Sequence, residues 1–185
     1  MTRMAKNPDA IATWANAITV ARILLAPLLF AMIPDDGASW PAFVFWFVLC
    51  SSDFIDGWLA RKQGVTRSGA FLDPLADKVL VLGAMFILVA NDIFSIVPVL
   101  IIAARELLIS LYRTVVGTKG VSVPAKKLAK VKTFTQQFAV AFVLWPWTNG
   151  LEWLWQATLW AAVVLTVVTG AQYLAAGRRA SARAA

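Results

Sequence analysis

Residues 51–78 read SSDFIDGWLARKQGVTRSGAFLDPLADK, and the four aspartates in that run, Asp53, Asp56, Asp73 and Asp77, govern the reading of the whole chain. Asp53 and Asp56 are three residues apart and Asp73 and Asp77 are four apart; on a helix, either spacing puts both members of a pair on one face. Two such helices can aim four carboxylates at one point. Hard divalent cations such as Mg²⁺ take oxygen ligands and bridge to substrate phosphates, so the cluster suits a metal site that handles a pyrophosphate. Arg61 and Lys78 lie close to it in sequence. The plain alternative is two acidic helix termini solvated at a surface, but the surroundings are apolar and a membrane makes carboxylates expensive.

Those surroundings bound the fold. Of 185 residues, 60% are hydrophobic and 15% charged, which is not the composition of an ordinary water-soluble domain. A hydrocarbon core about 30 Å thick takes roughly 20 helical residues per crossing. The chain is therefore predicted to be an all-α polytopic membrane protein, a bundle of six transmembrane helices forming one domain over residues 1–185. Histidine is absent, which leaves carboxylates as the proton acceptors. The lone cysteine, Cys50, has no intrachain partner for a disulfide. The net charge of +7 sits beside apolar runs, so membrane lipids and phosphate substrates are the expected partners and nucleic acid is not.

Residues 1–15 carry Arg3 and Lys6 ahead of Trp14 and are predicted to form a short interfacial helix. A cleaved signal peptide competes, but the apolar run that follows contains Arg22 and no clear cleavage site. Spans are expected at about 16–33, 40–59, 69–91, 93–116, 132–144 and 151–176, ahead of a basic tail at 178–185. Asn16, Thr19 and Arg22 recur at every third position and share a face; they are candidates for substrate contact, although an Arg near a span end also snorkels. Arg105, Glu106 and Arg113 in the fourth span are expected to face the bundle interior. There Glu106 is either the ion-pair partner of Arg105 or a chemical group. Lys130 and Lys132 stand at the mouth of the fifth span, where an anionic acceptor would arrive, in a run that a cytoplasmic loop also explains. Trp145, Trp147, Trp153 and Trp155 read as an interfacial aromatic belt. The connections at 34–41, 90–93 and 146–152 contain no Lys or Arg. Both termini and the acid cluster therefore fall on the cytoplasmic side of the inner membrane.

Written as a pattern, the central stretch is D-x-x-D-G-x-x-A-R, seven residues, then G-x-x-x-D-x-x-x-D, carried by Asp53, Asp56, Gly57, Ala60, Arg61, Gly69, Asp73 and Asp77. It resembles the signature of the CDP-alcohol phosphotransferases, a family of integral membrane enzymes. The resemblance implies that a hydroxyl attacks the phosphate of a CDP-activated partner and CMP leaves. It further implies two Mg²⁺ (or Mn²⁺) ions held by Asp53, Asp56 and Asp73. Asp77 would complete that site and act as general base, Gly57, Ala60, Arg61 and Gly69 would accommodate the CDP moiety, and the protein would be a homodimer.

Three further stretches, Gly69–Lys78, Ala104–Ser110 and Leu128–Thr133, look like the phosphatidylglycerophosphate synthase branch of that family. This implies CDP-diacylglycerol as donor and glycerol 3-phosphate as acceptor, with Arg105, Arg113, Lys130 and Lys132 available for the acceptor's phosphate. Ala129 departs from the branch, which usually has Gly before the first lysine of K-x-K-T. Phosphatidylglycerol, giving cardiolipin, and inositol phosphate are the rival acceptors. A Mg²⁺ channel or transporter is a rival of another class, disfavoured because the acids cluster in one short window and no repeat is evident.

Overall fold

Thr13 opens the first helix by accepting a hydrogen bond from the Asn16 amide at 3.2 Å, the usual means of satisfying an orphan donor at a helix start. From there the computed structural model describes residues 13–63, 67–118 and 127–184, without the side chains at 15, 54, 56–63, 67–71, 73, 113–118, 127 and 177–184. The interfacial segment expected at 1–15 lies outside the described residues except for its last three. Six α-helices follow in order: α1 (Trp14–Met32), α2 (Trp40–Gln63), α3 (Arg67–Ala90), α4 (Ile96–Thr118), α5 (Lys127–Leu144) and α6 (Glu152–Ala184), with a 3₁₀ turn at Pro146–Thr148 before the last. Among the described residues there is no strand, and the all-α expectation holds.

Helix α2 runs on to Gln63, four residues past the expected 59, and three further boundaries differ for local reasons. Helix α4 starts at Ile96, later than the expected 93, because Ile93 and Phe94 donate their amides back to the Leu88 carbonyl at 2.9 and 3.0 Å and close α3. Asp92 adopts a φ of 58° in that turn, a left-handed conformation common after a helix end. Pro98 then falls in the first turn of α4, where its missing N–H costs no helical bond. Helix α5 starts at Lys127, five residues before the expected 132; Lys, Leu and Ala are strong helix formers. Helix α6 continues past Gly177 to Ala184, as its run of Ala and Arg favours over a stop at one glycine.

The helices pack chiefly as α5 on α6, α1 on α3 and α2, and α4 on α6, with smaller contacts of α3 to α4 and α5 and of α2 to α5. The buried stripe of α1 runs Asn16, Thr19, Arg22, Ala26, Leu29, Ile33, a spacing of three and four that defines one helical face. Its polar members come first and its apolar members last. On α6 the order reverses: Trp155, Leu159, Ala162 and Val163 precede Thr166 and Thr169. Helix α5 passes from Lys132 and Gln136 to Ala139, Val140, Val143 and Leu144, again polar to apolar. Successive helices cross in alternating directions, so among the described residues every buried polar group but Thr148 gathers at one end of the bundle and the apolar core fills the other.

The apolar end is tied down by backbone and rings. Ser39 donates its amide to the Leu144 carbonyl at 3.0 Å, and Asn91 donates its side-chain amide to the Pro34 carbonyl at 3.0 Å. Trp40 meets Trp147 edge-on at 5.3 Å, and Phe43 stacks on Trp145 at 5.7 Å. The outer surface is inverted relative to a water-soluble protein. Leu24, Leu28, Phe47, Val48, Leu107, Leu108, Leu111, Val164 and Val167 are exposed, while Arg22, Glu106 and Lys132 are buried. Among the described residues one helical stretch, Glu152–Ala176, is long and apolar enough by itself to cross a membrane, and Asn16–Met32 is a shorter apolar stretch.

Two glycines at this end separate conformational from steric cost. Gly37 and Gly150 have φ of 79° and 83°, but an added Cβ at Gly37 would sit 2.6 Å from Val143 and 2.8 Å from Ile93, whereas nothing lies within 4 Å at Gly150. Gly150→Ala is expected to cost about 1 kcal/mol of stability, and Gly37→Ala about 2–4 kcal/mol because overpacking adds to it. Denaturation of the purified variants in detergent measures the difference, and equal costs would refute it.

Candidate functional site

At the polar end, two groups of charged side chains each have a member within Coulombic reach of Asp77. The first joins α1 to α2. Arg22, 2% exposed, donates Nη1 to Asp53 Oδ1 at 2.9 Å and Nε to Ser52 Oγ at 3.1 Å. Ser52 in turn donates its proton to the Leu49 carbonyl at 2.7 Å, which fixes its lone pair toward the guanidinium. Asp53 keeps 44% of its side chain exposed. The carboxylate is therefore oriented by Arg22 without being consumed by it. Asn16 and Thr19 are buried on the same face of α1. The three polar residues of α1 thus share the interior as the sequence spacing predicts.

The second group joins α4, α5 and α6. Glu106, 7% exposed, accepts through one oxygen, Oε1, from both Arg105 Nη1 at 3.1 Å and Lys132 Nζ. Arg105 reaches past it to α6 and donates Nη2 to Thr169 Oγ1 at 3.0 Å. One turn away, Gln136 donates to Thr166 Oγ1 at 3.1 Å. A buried charge is tolerated only when paired and hydrogen-bonded, and each of these charges has an ionic partner, although Arg105 Nε is buried without a hydrogen bond. Two cations facing one carboxylate leave the group with a surplus of one positive charge, which suits an anionic ligand.

Asp77 on α3 connects the two groups. Its carboxylate lies within Coulombic reach of Asp53 on α2, Lys132 on α5, Lys78 on its own helix and Glu106 on α4. Cys50, a free thiol, lies within reach of Asp77, Arg22 and Asp53. Lys78 donates to the Pro74 carbonyl at 3.1 Å.

Of the residues singled out from sequence, Arg22, Asp53, Asp77, Arg105 and Lys132 thus converge. Lys130 does not join them: it is exposed, two residues from buried Lys132 and so on another side of α5. Asp56, Gly57, Ala60 and Arg61 fall on the helical backbone of α2, Gly69 and Asp73 on that of α3, and Arg113 on that of α4, with their side chains outside the described residues. Among the described residues no group of three metal-ligating side chains forms. Asp53 and Asp77, from two helices, are hard oxygen donors, a donor chemistry that fits a divalent cation of the Mg²⁺ kind. Sequence reasoning missed Ser52, Gln136, Thr166 and Thr169. A signal for the last two existed in the spacing Thr166, Thr169, Gly170 within an apolar run, since small and polar residues at three and four apart mark an internal helix face.

A family model described as CDP-alcohol phosphatidyltransferase matches residues 12–168. The chain is 37% identical over 171 residues to the CDP-diacylglycerol--glycerol-3-phosphate 3-phosphatidyltransferase of Rickettsia felis, covering 89% of this chain and 94% of that protein. It is 35% identical over 176 residues to the protein of the same description in Bacillus subtilis, covering 85% and 91%. It is 36% identical over 176 residues to a probable phosphatidylglycerophosphate synthase of Mycobacterium tuberculosis, covering 91% and 83%.

The shared oxygen of Glu106 makes its two ion pairs interdependent. Glu106→Gln is expected to destabilise the fold by about 3 kcal/mol, since it leaves two buried cations without their anion, and Lys132→Met by about 1 kcal/mol, since Glu106 then keeps Arg105 as its partner. The double variant should lose about 1–3 kcal/mol less than the sum. Strict additivity in a double-mutant cycle, read from detergent denaturation, would show that the pair is not coupled.

Proposed function

This chain belongs to the CDP-alcohol phosphatidyltransferase family, and from that premise we propose that it transfers the phosphatidyl group of CDP-diacylglycerol to a hydroxyl of glycerol 3-phosphate, releasing CMP and phosphatidylglycerophosphate. The observation that carries the acceptor is similarity along 85–91% of the chain to relatives whose names specify that reaction or its product.

The reaction divides between the two groups of side chains. Asp53, Asp56 and Asp73 hold the divalent ions that the family generally uses, two Mg²⁺ or Mn²⁺ in this reading, with Asp77 completing the site. Bound there, such ions supply neutralisation of the donor's pyrophosphate charge. Arg22 keeps Asp53 pointed at its task. Gly57, Ala60 and Gly69 leave room for the CDP moiety beside Arg61. On the other side, Arg105 and Lys132 take the acceptor's phosphate, with Arg113 a further cation on α4, while Lys130, exposed on another side of α5, takes no part. Asp77 accepts the proton of the acceptor hydroxyl on its carboxylate. The freed oxygen bonds to the phosphatidyl phosphorus, the phosphoanhydride bond to CMP breaks, and CMP leaves with that electron pair. Support for Asp77 in this role comes from its reach to Asp53 on the donor side and to Lys132 on the acceptor side. A base must touch the attacking hydroxyl while both substrates are bound.

The family is membrane-associated, and we read the chain as one domain of six spans. Helices of 18 to 33 residues are long enough to cross about 30 Å at 1.5 Å per residue or nearly so, and their exposed faces are apolar. Connections without Lys or Arg at the apolar end leave the polar end and both termini cytoplasmic, in the inner membrane. A homodimer is what the family resemblance implies.

Purified protein is expected to release CMP from CDP-diacylglycerol with glycerol 3-phosphate, and not with phosphatidylglycerol or inositol phosphate, and to stop on addition of a chelator. Release with one of the other acceptors alone would replace the acceptor named above. Asp77→Asn should lower kcat by about 10²–10⁴-fold with normal membrane insertion. Undiminished turnover in that variant would remove Asp77 from the chemistry.

A further inference from the structure

Arg105 is held from three directions, and only one of them belongs to the stretches that resemble the family. Glu106 accepts from Nη1 on one side. On the other, Thr169 of α6 accepts from Nη2 at 3.0 Å while giving its own proton to the Leu165 carbonyl at 2.6 Å. That donation commits the hydroxyl hydrogen to the helix backbone and leaves a lone pair facing the guanidinium. The third contact is a space. Gly170 has no side chain, and a Cβ there would lie 3.2 Å from Arg105 Nε and 3.3 Å from its Cγ. Thr169 is 5% exposed, and both residues lie just beyond the end of the family match at residue 168.

An arginine side chain has several rotatable bonds and loses considerable freedom when fixed. A cation that must meet a small dianionic acceptor in one orientation gains from having that freedom removed beforehand. We propose that Thr169 and Gly170 of α6 are positioning residues that hold the Arg105 guanidinium ready for the phosphate of the acceptor. Neither touches substrate; both act through Arg105. The inference rests on Arg105 being an acceptor-phosphate cation, as read above, and adds that α6 sets its aim.

Steady-state kinetics of the full-length enzyme with each substrate varied in turn test this. Thr169→Val keeps the shape and removes the acceptor oxygen. It is expected to raise KM for glycerol 3-phosphate about tenfold or more, with KM for CDP-diacylglycerol and kcat within about twofold. Thr169→Ser, which restores the hydroxyl, should return KM to near the parent value. Gly170→Ala should raise the same KM about three- to tenfold, because the methyl displaces the side chain by a few tenths of an ångström, with a thermal midpoint in detergent close to the parent's. That second variant carries the test if Thr169→Val does not fold. An unchanged acceptor KM in both variants, or a Thr169→Ser as impaired as Thr169→Val, overturns the proposal. Arg105→Lys separates the two levels. If it leaves the acceptor KM unchanged, the reading of Arg105 fails and this inference with it. If Arg105→Lys raises the acceptor KM and the α6 variants do not, only the role of α6 is refuted.

Discussion

One carboxylate oxygen, Glu106 Oε1, receives hydrogen bonds from an arginine on its own helix and a lysine on the next, and the polar end of the bundle is built around that shared atom. An ammonium and a guanidinium buried within a few ångströms repel one another strongly unless an anion lies between them. Glu106 supplies the anion, and in doing so links α5 to α4. Thr169 then ties Arg105 to α6, so that three helices meet at one charged group. Arg22 and Asp53 do the same for α1 and α2.

This constraint explains the polarity gradient along the helices. Helix association among apolar surroundings gains little from hydrophobic burial and depends on close packing and hydrogen bonds. At one end, packing suffices: Trp46, Leu29, Met85, Leu88 and Leu144 fill the core completely or nearly so, and Gly37 and the ring contacts of Trp40 and Trp145 close it. At the other end, charged groups replace apolar ones and must find partners in neighbouring helices. A rigid apolar end and a charged end held by ion pairs give a site whose parts come from all six helices yet keep fixed positions. Transfer between two bound substrates gains from such fixed groups, because reacting partners must be held in one orientation.

Glu106 also changes how the basic residues are counted. Sequence offers four cations for an acceptor's phosphate, but Lys130 is exposed on another side of α5, while Lys132 and Arg105 form with Glu106 one unit of net charge +1. In the proposed reaction, a phosphate entering there would meet positive charge already oriented and only partly neutralised. Oriented charge of this kind needs little rearrangement on binding, which is where its advantage over mobile surface lysines lies.

By itself the sequence determined the helical class, the rough places of the six helices among the described residues and the identity of the acid signature, because apolar runs of fixed length and the gaps between Asp53 and Asp77 are properties of a chain read in one dimension. Asn16, Thr19 and Arg22 were also legible as one face, since helical periodicity alone puts them together. Family membership followed from eight residues at fixed spacing and was borne out along nearly the whole chain. Partners across helices were not legible. That Arg22 meets Asp53 and Ser52, that Glu106 serves Lys132 as well as Arg105, and that Thr169 and Gly170 receive the side chain of the distant Arg105 were decided only by packing. The physical reason is that a charge in an apolar bundle takes whichever partner the crossing of helices brings within about 3 Å, and that crossing is fixed by many side chains at once.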